Sequence, residues 1–309
     1  MSIKIAVVIP CFNEEVTIGQ VVRDFKKILP GASVSVFDNN STDRSAALAK
    51  EAGAVVYPVY QRGKGSVMRA ILDHVKADAL IIVDGDGTYS AEEAPLLLEP
   101  ILKGEADMVV GNRLKKADST SLVHSHRFGN QMIVKTINLI FRTSYEDILS
   151  GYRVLSRRLT ETVPLLTHGF ETETELTLQT LEEGLRIKEV PITYKPRSAG
   201  SRSKLRPFVD GSRIMTTIAM LLRDHHPLRV YGAISLLCFL IVAAAIILKI
   251  TNPLYGSFRS EELLRQTILL FTPLGVIFMA IGFILSAVNT RLREIRQIMH
   301  RNKISNDRS

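Results

Sequence analysis

Two stretches near the C-terminal end constrain this chain more than anything else in it. Residues 230–248 carry no charged side chain and are bracketed by Arg229 and Lys249; a second uncharged run covers residues 267–290. At 1.5 Å per residue, the first makes a helix about 28 Å long, close to the hydrocarbon thickness of a bilayer. The second is longer, with Pro273 and Gly275 placed to kink it near its start. Uncharged runs of this length are rare in soluble cores, so two buried helices of a large soluble domain are the poorer reading. Both lie too late in the chain for a signal peptide, and residues 1–10 show no basic segment leading into an apolar one.

A pair of spans returns the chain to the side it left. The segment beyond them, residues 291–309, carries Arg291, Arg293, Arg296, Arg301, Lys303 and Arg308, whereas the connecting loop sets Lys249, Arg259 and Arg265 against Glu261 and Glu262. The excess of Lys and Arg beside a span marks the cytoplasmic side, so the residues before the hairpin and the tail after it are expected there, at the cell membrane. Much of the net charge of +8 is thereby explained by membrane topology, and no nucleic-acid partner is required. With 46% apolar and 23% charged residues the chain is not disordered, and its two cysteines, Cys11 and Cys238, build neither a disulfide framework nor a zinc site.

The first two hundred residues read as a soluble α/β domain. Residues 3–9 form an apolar run, interrupted only by Lys4 and closed by Pro10, as suits a buried parallel strand. A helix is expected over 14–29, a strand over 33–37 ending at Asp38, and a helix capped by Ser41 and running to about 52. Strands over 55–59, 79–83 and 108–110 alternate with helices over 65–75 and 92–102. That alternation predicts a doubly wound, mostly parallel sheet. In such sheets ligands bind beyond the carboxyl ends of the strands, where residues 10–14, 38–43 and 84–86 all fall. Three acidic or amide-rich turns are thus expected on one edge.

Each turn has a plain reading beside a chemical one. Asp84-Gly85-Asp86 offers two carboxylates, one residue apart, to a hard divalent cation, but Asp and Gly also form ordinary turns. Asp38 stands where it can accept a hydrogen bond from a nucleobase or ribose; otherwise residues 38–43 are a turn and a cap. Gly63-Lys64-Gly65 lacks the first glycine and the Ser/Thr of a Walker loop, leaving Lys64 to face a phosphate through its charge and the helix N-terminus. The basic residues Arg197, Arg202, Lys204 and Arg206 form a solvated or lipid-facing surface, or collect phosphates.

Taken in order, VVIPCFNEE, FDNNSTDRS, GKG, VDGDGTY, GNR, DILSGYR, EVPITY and RSAGSRSKL resemble the family 2 glycosyltransferases, in the polyprenyl-phosphate branch typified by dolichol-phosphate mannose synthase. The resemblance covers roughly residues 1–206, and the C-terminal hairpin resembles that of bacterial relatives acting on undecaprenyl phosphate. It implies a GT-A-like fold and a hexosyltransferase using a nucleotide-diphosphate sugar. It also implies a donor site of Pro10, Asn13, Glu14, Asp38, Asn39, Lys64, Asp84, Gly85 and Asp86. Asp84 and Asp86 would hold Mg²⁺ or Mn²⁺, Arg113 would face the phosphates, and Asp147 and Asp86 would serve the chemistry. Arg153, Arg197, Ser203 and Lys204 would meet the acceptor phosphate. Two positions depart from the pattern: Asn39 replaces the second acid of an Asp-Asp pair, and Thr88 stands where the mannose synthases have glutamine.

The expected organisation is a catalytic domain over 1–206, an amphipathic juxtamembrane helix over 207–229, the hairpin over 230–290 and a basic tail over 291–309. A second amphipathic helix is expected over 126–141, with Ile133, Ile137, Ile140 and Phe141 on one face, either interfacial or simply core-packed. The expected reaction moves one sugar to a polyprenyl phosphate, undecaprenyl or dolichyl, at the bilayer surface with inversion. An anionic phosphate acceptor needs no general base. Transfer to a hydroxyl of a glycolipid or polysaccharide would need one, with Asp147 or Glu173 as candidates, and a non-catalytic membrane scaffold is the third alternative. A processive synthase is disfavoured by the absence of tryptophan and by only two spans. Homo-oligomerisation, the sugar and the nucleotide are left open.

Overall fold

The computed structural model describes residues 3–114, 124–163, 165, 172–196, 216, 219, 220, 222, 223, 226–251 and 258–306. The chain divides into two compact units, Met1–Thr217 and Ile218–Ser309.

In the first unit, strands β1 (Ile5–Cys11), β2 (Ser33–Asp38), β3 (Val55–Pro58) and β4 (Ala79–Ile82) alternate with helices α1 (Ile18–Ile28), α2 (Ser45–Glu51) and α3 (Lys64–His74). A 3₁₀ turn (Ala91–Glu93) leads into α4 (Ala94–Leu102), followed by β5 (Met108–Asn112) and α5 (His124–Phe141). Then come β6 (Arg153–Ser156), α6 (Arg157–Thr162), α7 (Thr172–Glu182) and β7 (Ile187–Pro191). The seven strands form one mixed sheet in the order β3-β2-β1-β4-β6-β5-β7. All neighbours run parallel except β6, which lies antiparallel between β4 and β5.

The apolar runs are continuous because both sheet faces are covered. Val7, Ile9 and Cys11 of β1 face one core with Ile18, Val22 and Phe25 of α1 and Leu97 of α4. Ala6 and Val8 face the other, with Val67, Met68 and Ile71 of α3, Leu159 of α6 and Leu176 of α7. Pro10 does not end β1 as expected: the strand continues to Cys11, and Pro10 pairs with Phe37 of β2. The carbonyl of Cys11 accepts from Asn39 N on the β2 side at 2.8 Å, so the backbone of Pro10 faces the other side. There the β4 ladder has already ended at Ile82, and no N–H is needed. Ser41 does not cap α2. That helix begins at Ser45, whose N–H and hydroxyl both donate to Asp43 Oδ1 at 2.9 and 2.6 Å.

The expected helix over 126–141 is α5, and Ile133 and Ile137 on it are buried. Most of the expected juxtamembrane helix over 207–229 lies outside the described residues.

The second unit contains α8 (Pro227–Thr251) and α9 (Phe258–Asn306). Both are long and apolar enough to cross a membrane, over Pro227–Thr251 and Glu261–Leu292. They pack antiparallel. Ser235 Oγ donates to the Gly275 carbonyl at 2.7 Å, and the rings of Tyr231 and Phe278 stack with centroids 6.2 Å apart. Gly275 and Gly282 make this approach possible: a Cβ on either would lie 3.1 Å from Phe239 or Tyr231. Helix α9 runs through Pro273 and continues past residue 290 to Asn306, so most of the basic tail extends the second helix.

Candidate active site

Three strand ends meet on one edge of the sheet. The turn after β1 and the turn after β2 are laced together: Asn13 N donates to Ser41 Oγ at 2.9 Å, Thr42 N to Asn13 Oδ1 at 2.8 Å, and Glu14 N to Ser45 Oγ at 2.7 Å. Asn13 and Asn40 take φ of 52° and 59°, a left-handed backbone that asparagine tolerates. Asp38 closes β2 with its side chain inside this lacing. Its Oδ2 accepts from Ser41 N at 3.2 Å, while its buried Oδ1 has no hydrogen-bond partner. A buried carboxylate oxygen in that state is costly, and a ligand's N–H or O–H donor would satisfy it.

Asn39 is turned away from that role. Its Nδ2 donates to the carbonyls of Val59 and Gln61 at 3.0 and 2.8 Å, and its Oδ1 accepts from Gly63 N at 2.8 Å. It pins the loop that leads to Lys64, and an aspartate there could make neither donated bond. Asn39→Asp is expected to lower stability by about 2 kcal/mol, seen as a lower urea midpoint, since a carboxylate would face two carbonyls. An unchanged midpoint would show that the loop holds without Asn39.

Asp84 and Asp86 follow β4. Asp86 is almost fully buried, and its Oδ1 accepts from Thr88 N and Oγ1 at 3.1 and 2.6 Å. Thr88 thus orients this carboxylate. Gly85 lies where a Cβ would come within 3.3 Å of both Ile9 and Ile18, and its carbonyl accepts from Thr17 Oγ1 at 2.7 Å. Asp84 Oδ1 meets Lys64 Nζ at 2.8 Å, and Lys64 also meets Glu173 Oε1 at 2.5 Å. Burial opposes the charge on Lys64, but the two carboxylates outweigh it and raise its pKa. On its other side the Asp84 carboxylate lies over Gly151, where a Cβ would stand 2.3 Å from Oδ2. Gly151 N in turn donates to the Tyr89 hydroxyl at 3.1 Å.

Asp147 and Arg113 form the second half of the site. Arg113 donates from Nε and Nη2 to the two oxygens of Asp147 at 2.7 and 2.8 Å, and from its backbone N at 3.0 Å. The Asp147 side chain is 0% exposed and that of Arg113 is 15% exposed. Burial pushes the Asp147 pKa up, but the Arg113 guanidinium prevails and holds it below the usual carboxylate range. Burial likewise pulls Arg113 down, and Asp147 more than restores it. The Arg113 guanidinium also sits 5.5 Å over the ring of Tyr194. Glu189 on β7 accepts from the backbone N of Glu146 and of Asp147, at 3.0 and 2.7 Å, and so fixes where this loop starts. Burial raises the pKa of Glu189 against those two hydrogen bonds.

Arg153, expected at the acceptor phosphate, is placed otherwise. It is 1% exposed and donates to the Ser150 carbonyl and to Thr177 Oγ1, both at 2.9 Å, and to the carbonyl of Ile148. Burial, only partly offset by Glu173 and Asp147, lowers its pKa to about 10. It fastens the loop carrying Asp147 and Gly151 from inside. Arg197, Ser203 and Lys204 lie outside the described residues.

Residues 6–163 match the family described as Glycosyl transferase family 2. The chain belongs to glycosyltransferase family 2. This glycosyltransferase is 34% identical over 233 residues to glycosyltransferase AglJ of Haloferax volcanii, spanning 75% of this chain and 76% of that protein. It is 30% identical over 214 residues to the dolichyl-phosphate hexose transferase of the same organism, spanning 69% and 92%. Among solved structures, glucosyl-3-phosphoglycerate synthase of Mycobacterium tuberculosis, in complex with Mn²⁺ and uridine-diphosphate-glucose, matches with a TM-score of 0.58. The two share 24% identity over 72% of this chain and 78% of that one, a likeness of fold. The GT-A-like sheet expected from the sequence is present, followed by the two long apolar helices.

The site residues that sequence reasoning missed act at second hand. Gly151 makes room for Asp84, Thr88 and Tyr89 hold the turn and the loop, and Glu189 anchors Asp147. All four fall inside motifs that carry the family resemblance, Thr88 as a departure from it, but nothing in those motifs shows what they hold.

Proposed function

We propose that this glycosyltransferase moves one hexose from a nucleotide-diphosphate sugar to a polyprenyl phosphate, undecaprenyl or dolichyl, at the cytoplasmic face of the cell membrane, with inversion. The observation that carries this reading is a donor-type acidic edge and two membrane-length helices in one chain. The similarity to a dolichyl-phosphate hexose transferase supports it.

The orphaned Oδ1 of Asp38 suits the base or ribose of the donor. Asp84 and Asp86 supply two hard oxygen donors, and among the described residues no third acid, His or Cys completes a cluster with them. That set fits a Mg²⁺ or Mn²⁺ ion whose other ligands are diphosphate and water. Such an ion, when bound, neutralises charge on the departing diphosphate. The pairing with Asp147 uses Nε and Nη2 of Arg113, which fixes the direction of a guanidinium at the same edge. In this role Arg113 stabilises charge on the leaving group, and a fixed guanidinium needs no reorganisation as that charge grows. Arg197, Ser203 and Lys204 are the proposed holders of the acceptor phosphate.

Neither candidate base favours a hydroxyl acceptor. Asp147 is paired with Arg113 and its pKa is lowered; Glu173 is paired with Lys64. A phosphate acceptor needs no base, and its requirement is placement.

The test is a donor screen on the full chain in detergent. It combines Mg²⁺ and undecaprenyl phosphate with UDP-glucose, UDP-N-acetylglucosamine, UDP-galactose or GDP-mannose and follows release of nucleoside diphosphate. Release with one donor that requires both the lipid phosphate and Asp86 is expected. Equal release with undecaprenol, or without lipid, would overturn the acceptor assignment.

A further inference from the structure

Lys64 is not where a phosphate-binding lysine needs to be. Its ammonium is held between two carboxylates, 2.8 Å from Asp84 Oδ1 and 2.5 Å from Glu173 Oε1. The three side chains are only 15%, 28% and 12% exposed, so water screens them little. The other oxygen of Asp84 lies against Gly151, with no space there for even a methyl group. A cation that uses Oδ1 of Asp84 therefore either shares it with Lys64 or displaces Lys64.

We infer that Lys64 is a built-in counter-cation that keeps the Asp84–Asp86 site weak for a bare divalent ion, and that Glu173 is the position to which Lys64 withdraws when ion and nucleotide enter together. The inference rests on the donor-site reading above. Lys64 and the divalent ion compete for the same oxygen, and like charges repel strongly at such separations in a poorly screened site. Glu173 holds Lys64 at the shorter distance, so the lysine releases Asp84 without losing its second partner. A nucleoside diphosphate brings its own negative charge, and that tips the competition towards the divalent ion. Glu173, far from Asp84 in sequence and carried on α7, is thus a positioning residue for the donor site. Its action goes through Lys64 and needs no contact with the sugar.

Two substitutions move the bare-ion affinity in opposite directions. Lys64→Met removes the competing cation from Asp84 Oδ1, so Mn²⁺ is expected to bind the nucleotide-free protein about tenfold more tightly. Glu173→Gln removes the withdrawal position, leaves Lys64 on Asp84 alone, and is expected to weaken Mn²⁺ binding about three- to tenfold, with or without nucleotide. Lys64→Arg keeps the charge and is expected to stay near wild type. The readout is Mn²⁺ binding to the full chain in detergent by electron paramagnetic resonance, alone and with UDP or GDP, with Asp86→Ala to locate the ion. Should Lys64→Met fail to fold, Glu173→Gln still decides. Unchanged affinity in the folded variants, while wild type binds Mn²⁺ with one nucleotide, would overturn the inference alone. Absence of Mn²⁺ binding in wild type with either nucleotide would overturn the donor-site reading and the inference with it.

Discussion

Asp147→Asn is expected to lower both stability and turnover, by about 3 kcal/mol and about a hundredfold, although it changes a single atom. Asp147 is fully buried and gives both oxygens to Arg113, one of them shared with the Arg113 backbone N–H. An asparagine keeps one acceptor and turns an N–H₂ towards a guanidinium or amide donor. Arg113 is then left with an uncompensated charge in a mostly buried position, which is the costly way to break a pair. The pH dependence follows from the depressed pKa of Asp147. A carboxylate whose folded pKa lies below its unfolded value contributes its full stability above the ordinary carboxylate range. That contribution is lost only as pH falls through the folded value. Wild type and variant should therefore differ most near neutral pH and converge in acid, as followed by circular dichroism melting at several pH values. Turnover should fall more than donor affinity, because Arg113 is assigned to charge that develops on the leaving group. Equal melting temperatures and equal nucleotide release would mean that the pair neither holds the loop nor aims Arg113.

The edge of the sheet was legible because its grammar is local. An apolar run followed at once by Asp38, or by Asp84-Gly85-Asp86, names both the strand and its ligand-facing end, and the parallel alternation brings those ends together. The middle of the sheet was not. Strand β6 has four residues and opens with Arg153, which in sequence reads as a surface or phosphate-facing cation. Only the fold shows that Ser150, Ile148 and Thr177 surround it with acceptors. Strand β7, Ile187–Pro191, sets Lys188 and Glu189 side by side, which breaks the period-2 pattern, and ends in proline, so its place beside β5 depends on pairing across the chain. The Lys64–Glu173 contact has the same character. In sequence, Lys64 stands just before an expected helix and Glu173 is only a candidate base, and nothing local says that α3 and α7 present them to each other. Asn39 and Thr88 were visible as departures from a family pattern. Their reasons, two carbonyls to satisfy and one carboxylate to orient, are three-dimensional.

Gly151→Ala is expected to abolish most activity, a loss of at least about a hundredfold, while changing the melting temperature little. The added Cβ would stand 2.3 Å from Asp84 Oδ2, 2.9 Å from Cγ and 3.1 Å from Oδ1, so the whole carboxylate must swing aside. Asp84 is a short side chain with few rotamers, and Lys64 holds its other oxygen. The swing therefore takes Asp84 out of line with Asp86, and the two donors no longer converge on one ion. The fold has less at stake. Gly151 does not take a positive φ, so alanine brings no left-handed backbone strain there. Its N–H to the Tyr89 hydroxyl survives, and Asp84 is already partly exposed at 28% of its side chain. Loss of function without loss of structure is the signature that separates this glycine from one that merely packs. The decisive comparison sets nucleoside diphosphate release and Mn²⁺ affinity against the melting curve. If Gly151→Ala kept its turnover, the Asp84 carboxylate would not need the position over Gly151, and its assignment to the donor diphosphate would fall with it.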